Sequence, residues 1–283
     1  MYPELLTLNL PIIGELTITS FGVMMAMSFL TAYWVLRAEL VRMEGEPDLA
    51  ADMLMGALIG GIVGAKIYYV LLYWDRTAAA PFEMLVARSG LVWYGGFIGG
   101  ALGVIWVVRR AGVSVPWVAD ACAPALALAY AVGRMGCFLV GDDYGRPTDS
   151  WVGIAFPNGI PPTTAGNLRR YGIDVPASVS DGELLRVHPT QLYEIGMSLI
   201  IFLVLWRIRK NPHQAGWLFA LWLAAAGAER FIVEFFRAKD DRFLGAFTIA
   251  QLISVVLIAL GVWLALRLRG SDSTSGTRAT AAS

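Results

Sequence analysis

The sequence predicts an all-α, polytopic membrane protein with about seven transmembrane helices and a small extracytoplasmic head. Three observations predict it. The 283-residue chain is 57% hydrophobic and only 16% charged, too apolar for an ordinary soluble domain of its length. Its apolar windows approach the roughly 20 residues a helix needs to cross a bilayer, and they are too long for buried strands. Its basic residues gather in every second turn between those windows, the pattern that orients a membrane chain.

Seven spans follow in order, at about 18–36, 51–73, 91–109, 117–139, 190–208, 215–236 and 247–268. Short polar breaks separate most of them: RAELVRMEGEPD after the first, RRAGVSVP after the third and RIRKNPHQ after the fifth. One break is long, about 140–188, rich in Gly, Pro, Asp and Thr, and reads as the head inserted between spans four and five. Residues 1–270 form the membrane domain, and the polar, small-residue tail 271–283 reads as disordered. Arg37 and Arg42, Arg109 and Arg110, Arg207, Arg209 and Lys210, and Arg267 and Arg269 all fall on one side of a seven-span layout. This places the N-terminus outside and the C-terminus in the cytoplasm. The start of the chain lacks the basic n-region of a signal peptide, so the first span is expected to remain in the mature protein.

The formal net charge is zero, which implies no general attraction to nucleic acid. Cys122 and Cys137 fall in one span, too far apart along a helix for a disulfide. Gly56, Gly60 and Gly64, and then Gly95, Gly99 and Gly103, recur every four residues. They read as close helix–helix packing faces, with a lipid-accessible cavity as the alternative.

Charged groups near a bilayer are functional candidates by default. Four clusters stand out, and the topology brings them to the outer face. GRMGCFLVGDDYGR (133–146) carries Arg134, Asp142, Asp143 and Arg146. AERFIVEFFR carries Arg230, Glu234 and Arg237, whose spacings of four and three share a helical face. HPTQLYE (188–194) carries His188, Gln191, Tyr193 and Glu194. LVWYGG (91–96) carries Trp93 and Tyr94, which also suit an interfacial aromatic belt. Arginines from two helices, meeting at headgroup level, make a fork-shaped site for a phosphate, with Asp142 and Glu234 holding the forks in place. No metal-ligand spacing is present and no cofactor is expected.

These motifs resemble those of the prolipoprotein diacylglyceryl transferase family. GRMGCFLVGDDYGR is similar to that family's GRxGNFxNxExxGR, HPTQLYE to its HPSQLYE, RFIVEFFR to its RxxxExxR segment, and GIVGAKIYYVLLY to its GGRLGYVLFY. The resemblance covers most of residues 20–268. It implies transfer of the diacylglyceryl group of phosphatidylglycerol to the lipobox cysteine thiol of prolipoproteins, the first step of bacterial lipoprotein maturation, in the bacterial cytoplasmic (inner) membrane. It implies phosphate contacts for Arg134 and Arg230, support from Arg237 and Glu234, a tight turn at Gly145, and places at the fifth-span entry for His188, Tyr193 and Glu194.

The chain also departs from that pattern. Tyr94 stands where the family has the histidine of HGG, Cys137 and Val140 replace asparagines, Asp142 replaces a glutamate and Lys66 an arginine. A neutral tyrosine is a poor base, with an ordinary pKa near 10. Tyr94 can still donate a hydrogen bond, and the thiol proton then leaves by another route, with His188 the nearby imidazole. The alternative is a diverged, catalytically impaired paralogue that binds lipid.

Overall fold

A computed structural model describes residues 1–10, 14–86, 92–238, 242–244 and 247–269. The expected tail, 271–283, lies outside the described residues. The described residues divide into two compact units, one of residues 1–32 and 122–269, the other of residues 33–121.

The elements are, in order, strands β1 (Glu4–Leu10) and β2 (Gly14–Thr19), then helices α1 (Ser20–Arg42), α2 (Leu49–Leu72), α3 (Trp74–Ala79), α4 (Pro81–Val86), α5 (Trp93–Arg110), α6 (Val115–Val140), α7 (Ala165–Arg170), α8 (Thr190–Ile208) and α9 (Trp217–Glu234). Strands β3 (Arg242–Leu244) and β4 (Phe247–Thr248) precede the last helix, α10 (Ile249–Arg267). The long helices fall on the seven expected spans. Five of them, α1, α2, α6, α8 and α10, are long and apolar enough to cross a membrane. The other two, α5 and α9, have 18 residues each; α5 ends in two arginines, and α9 carries Glu229, Arg230 and Glu234. The fold is that of an all-α, multi-pass membrane protein, with two small antiparallel hairpins among the described residues.

Three boundaries differ from expectation. α1 runs on to Arg42, so Arg37 and Arg42 belong to the helix; Arg42 pairs with the buried Glu39 at 2.8 Å, which lets the polar end stay helical. The hairpin β1–β2 precedes α1 where no structure was expected. α9 stops at Glu234, so Arg237 lies beyond the helix rather than on its face.

In the unit of residues 33–121, α2 and α5 pack antiparallel through their glycines. A Cβ on Gly60, Gly64, Gly95, Gly99 or Gly103 would strike the backbone of the facing helix. The four-residue repeats are therefore a backbone-to-backbone contact, the close-packing reading, and not a cavity lining. Gly112, at φ +70°, ends α5; Val113 N–H reaches back to Val108 O at 3.1 Å, and Arg109 and Arg110 face the carbonyl end of the helix dipole. Lys66 extends its ammonium to 5.5 Å from the Tyr69 ring centroid.

In the other unit, Ala123 and Ala127 of α6 pack against Leu205 of α8 and Leu218 of α9. Gly261 of α10 allows close approach to Ala220 and Ala224 of α9, and Thr248 with Gln251 forms a capping box that starts α10. The head, between α6 and α8, has its own core of Tyr144, Phe156, Ala165, Leu168, Val175 and Val187. It contains α7, which Thr164 caps by accepting from Asn167 N. Isolated bridges Pro147↔Val187, Ile154↔Val187 and Thr164↔Leu184 hold its loops together.

Candidate active site

The site starts where α6 stops. Gly141 takes φ +73° and its N–H returns to Cys137 O at 2.9 Å. Asp143 follows at φ +54°, a left-handed conformation that aspartate tolerates better than most residues. The first turn of α8 grips this bend. Thr190 Oγ1 donates to Asp143 O at 2.7 Å, and the fully buried Gln191 donates through Nε2 to Asp142 O at 2.5 Å. Helix end and helix start thus fix each other.

That turn aims Asp143 at two guanidiniums. Its Oδ2 accepts from Arg134 Nη1 and its Oδ1 from Arg237 Nη2, each at 2.8 Å. Arg134 also pairs with Glu194, which is buried and accepts a further hydrogen bond from Tyr130 Oη at 2.8 Å. The Arg134 guanidinium lies 5.5 Å from the centroid of the Tyr130 ring. At the other end, the buried Glu234 pairs with Arg230 at 2.5 Å and with Arg237 at 3.5 Å. The result is one unbroken series, Glu194–Arg134–Asp143–Arg237–Glu234–Arg230, alternating in charge and drawn from α6, its following turn, α8, α9 and the segment just after α9. Three of the four expected clusters meet in it.

The partners differ in one respect from the sequence reading. Arg134 is held by Asp143 and Glu194, not by Asp142. The positive-φ turn explains the exchange, because it rotates the second aspartate of the pair towards the arginines and turns the first away. Asp142 instead has a buried Oδ1 with no hydrogen-bond partner among the described residues. Arg134 Nε, Arg230 Nη1, Gln191 Oε1 and Glu234 Oε1 are buried and unpaired in the same sense. Such groups are rare in folded proteins, and each costs about 1–3 kcal/mol. Two guanidinium N–H donors left over in one charged cluster suit an anion with several oxygens.

Burial and charge set the protonation of the groups beyond the helices. Burial pushes the Asp142 carboxyl up, and the neighbouring Asp143 charge adds to this. Burial also pushes Asp143 up, but the Arg237 and Arg134 guanidiniums outweigh it and hold that carboxyl below the usual range. Arg237 is held more firmly protonated than usual: burial opposes its charge, and Asp143 and Glu234 overcome that effect.

Gly145 serves a close crossing. Its N–H donates to His188 O at 2.8 Å, it bridges to Arg237, and a Cβ there would meet Phe236 O and His188. Its φ is not positive, so the need for glycine comes from crowding and not from a turn. Arg146 continues this stitch, donating from its backbone N to Phe236 O at 2.8 Å and from Nε to Arg237 O at 3.0 Å. His188 places its Nδ1 2.9 Å from Tyr193 Oη and its ring against Phe236; burial lowers its pKa, so it is neutral near pH 7. Beside these rings an apolar cleft of about 300 Å³ is lined by Tyr193, Met197, Ile232, Val233 and Phe236.

Tyr94 opens α5 in the other unit, where it is 57% exposed with its ring edge-on to Trp93. Asp143, Glu194 and Tyr130 are the site residues to which the sequence reading gave no specific role. Tyr130 lies four residues before Arg134, a spacing that marks helix neighbours. A second buried pair was also missed: Ser198 Oγ sits 2.9 and 2.8 Å from the two oxygens of Glu229, one turn along α8 from Glu194.

Residues 9–267 match the family model described as prolipoprotein diacylglyceryl transferase. Curated relatives bear the name phosphatidylglycerol–prolipoprotein diacylglyceryl transferase. One from Geobacter sulfurreducens is 32% identical over 266 residues, covering 90% of this chain and 92% of its own. One from Pseudoalteromonas atlantica is 32% identical, covering 92% and 90%, and one from Clostridium tetani is 30% identical, covering 90% and 96%.

Proposed function

Because this chain belongs to the prolipoprotein diacylglyceryl transferase family, we propose that it transfers the diacylglyceryl group of phosphatidylglycerol to the lipobox cysteine of prolipoproteins. The observation that carries the reading is the alternating charge series with its two spare, buried guanidinium donors, Arg134 Nε and Arg230 Nη1.

The reaction makes a thioether. The cysteine thiol loses its proton, and the thiolate attacks the glycerol carbon that bears the phosphate ester. The carbon–oxygen bond breaks, and glycerol phosphate leaves with the bonding pair. Negative charge grows on the departing phosphate, and Arg134 and Arg230 stabilise it in a site largely shielded from water. Asp143, Glu194 and Glu234 hold the guanidiniums in place, and Arg237 links the two halves of the series. The carboxylates already hold the forks and the spare donors meet the phosphate, so binding needs little movement of the forks.

Asp142, with a raised pKa and a free buried oxygen, takes the thiol proton. Tyr94 occupies the position of the family's HGG histidine, and that match alone assigns its hydroxyl a headgroup hydrogen bond; His188 keeps Tyr193 in place beside the apolar cleft, which accepts lipid chain. The head and the site face the outside of the bacterial cytoplasmic membrane, with the C-terminus in the cytoplasm, in line with the basic turns.

The test is complementation. The chain should rescue a cell depleted of its own transferase, whereas Arg134→Lys and Arg230→Lys should fail although both accumulate in the membrane. Lysine keeps the charge but not the planar fork. Rescue by both lysine variants would show that these arginines are only structural anchors.

A further inference from the structure

None of the residues given a role above lies in the N-terminal hairpin, which has two unlike faces. The register sets Leu6 opposite Ile18 and Leu8 opposite Leu16, and sets Thr7 opposite Thr17. In an antiparallel pair, opposed residues project to the same side and successive residues to alternate sides. Leu6, Leu8 and Ile18 therefore share one face. Thr7 and Thr17 share the other, with their hydroxyl oxygens 3.4 Å apart. Leu6 is 52% and Leu8 38% exposed. Among the described residues the sheet has two strands, and a lone two-stranded ribbon with a bare apolar face is marginal in water.

The base of the ribbon is fixed at both ends. Tyr2 N–H donates to Leu139 O at 3.1 Å, at the last turn of α6, and Met1 packs on the head core. At the other end β2 runs directly into α1, and Ser20 N–H donates to Pro3 O at 3.0 Å. The hairpin therefore starts from the ends of two membrane helices, on the side that carries the head. The first turns of α1 expose Phe21, Val23, Met25 and Met27, so apolar surface continues from helix to ribbon.

We propose that the leucine face of the β1–β2 hairpin docks on the phospholipid leaflet on the side of the head, with the threonine face towards water. Seven residues of β1 extend about 20 Å at strand rise, long enough to lie along the headgroup boundary rather than to cross it. The apolar face continues the lipid-exposed surface of α1, and a leaflet is the cover available at that level. The inference does not depend on the transferase reaction.

The experiment uses nitroxide labels on Leu8→Cys and, separately, Thr7→Cys, each with Cys122→Ala and Cys137→Ala, in vesicles of phosphatidylglycerol and phosphatidylethanolamine. Oxygen concentrates in hydrocarbon and a nickel chelate stays in water, so the ratio of their collision rates reads the environment of the label. The ratio is expected to be several-fold higher at Leu8 than at Thr7. Equal ratios at the two positions would overturn the proposal. So would a Leu8 label shielded from both agents, which would mean that protein, such as a second copy of the chain, covers the face.

Discussion

Replacing Asp143 with asparagine separates the two aspartates of the GDD turn. Asp143 makes two charge-assisted hydrogen bonds of 2.8 Å to guanidiniums whose side chains are 15% and 20% exposed, and is itself 30% exposed. Each such bond is worth roughly 1.5–3 kcal/mol, and breaking a fully buried pair costs 3–5 kcal/mol. Partial exposure reduces the effect, so Asp143→Asn should destabilise by about 2–4 kcal/mol. At roughly 2–4 °C per kcal/mol for a chain of comparable size, the thermal midpoint should fall by about 5–15 °C. The asparagine NH₂ would also face a guanidinium, donor to donor, and push one fork aside. A displacement of about 1 Å near the reacting atoms lowers the rate on the order of a hundredfold. The assay is diacylglyceryl transfer to a lipobox peptide beside thermal unfolding in detergent. Asp142→Asn is the control: it should keep the midpoint, because Asp142 holds no guanidinium, yet lose most transfer. An Asp143→Asn protein as stable and active as the parent would refute the clamp. So would a larger loss of stability in Asp142→Asn.

Tyr94→Phe removes one oxygen; loss of a single transition-state hydrogen bond costs about 3 kcal/mol, on the order of a hundredfold in transfer rate, and an unchanged rate would leave Tyr94 as a belt aromatic. Tyr94→His should remain active, whereas an inactive parent rescued by it would identify a diverged paralogue. Gly60→Leu or Gly99→Leu should prevent stable accumulation in the membrane, because the side chain would drive α2 and α5 apart at a backbone contact; normal accumulation would contradict the close-packed pair. Transfer should fall on acidification at a pH above the ordinary carboxylate range, as the raised pKa of Asp142 predicts, and Asp142→Asn should abolish that limb. The stability contributed by Asp143 has the opposite sign of shift: it is present above the unfolded carboxylate pKa and is lost only as pH falls through its lowered folded value, which midpoints measured across the acid range would follow.

The helices were legible because each long apolar run is a local signal, and the four-residue glycine repeats carried the α2–α5 contact with them. The arginine clusters were legible as charges at span ends, where only function or pairing retains them. The choice of Asp143 over Asp142 was not, because it depends on two positive-φ residues, Gly141 and Asp143, on either side of Asp142, that the side-chain pattern does not reveal. Arg237 was placed on a helical face by its spacing, yet α9 ends three residues earlier and Gly145 pairs with the chain there. The hairpin was written in the alternation of ELLTLNL and GELTIT, a period of two to which the sequence analysis assigned no element. Glu229 and Ser198 lie on different helices, and no sequence period links them.

The most direct test is transfer itself. The purified protein, reconstituted with phosphatidylglycerol, is given a lipobox peptide, and the products are read by mass. The expected products are a thioether-linked diacylglyceryl peptide and an equal amount of glycerol phosphate, with neither from Arg134→Lys. Phosphatidylglycerol binding without any modified peptide would contradict the transfer reaction and leave a lipid-binding protein in its place.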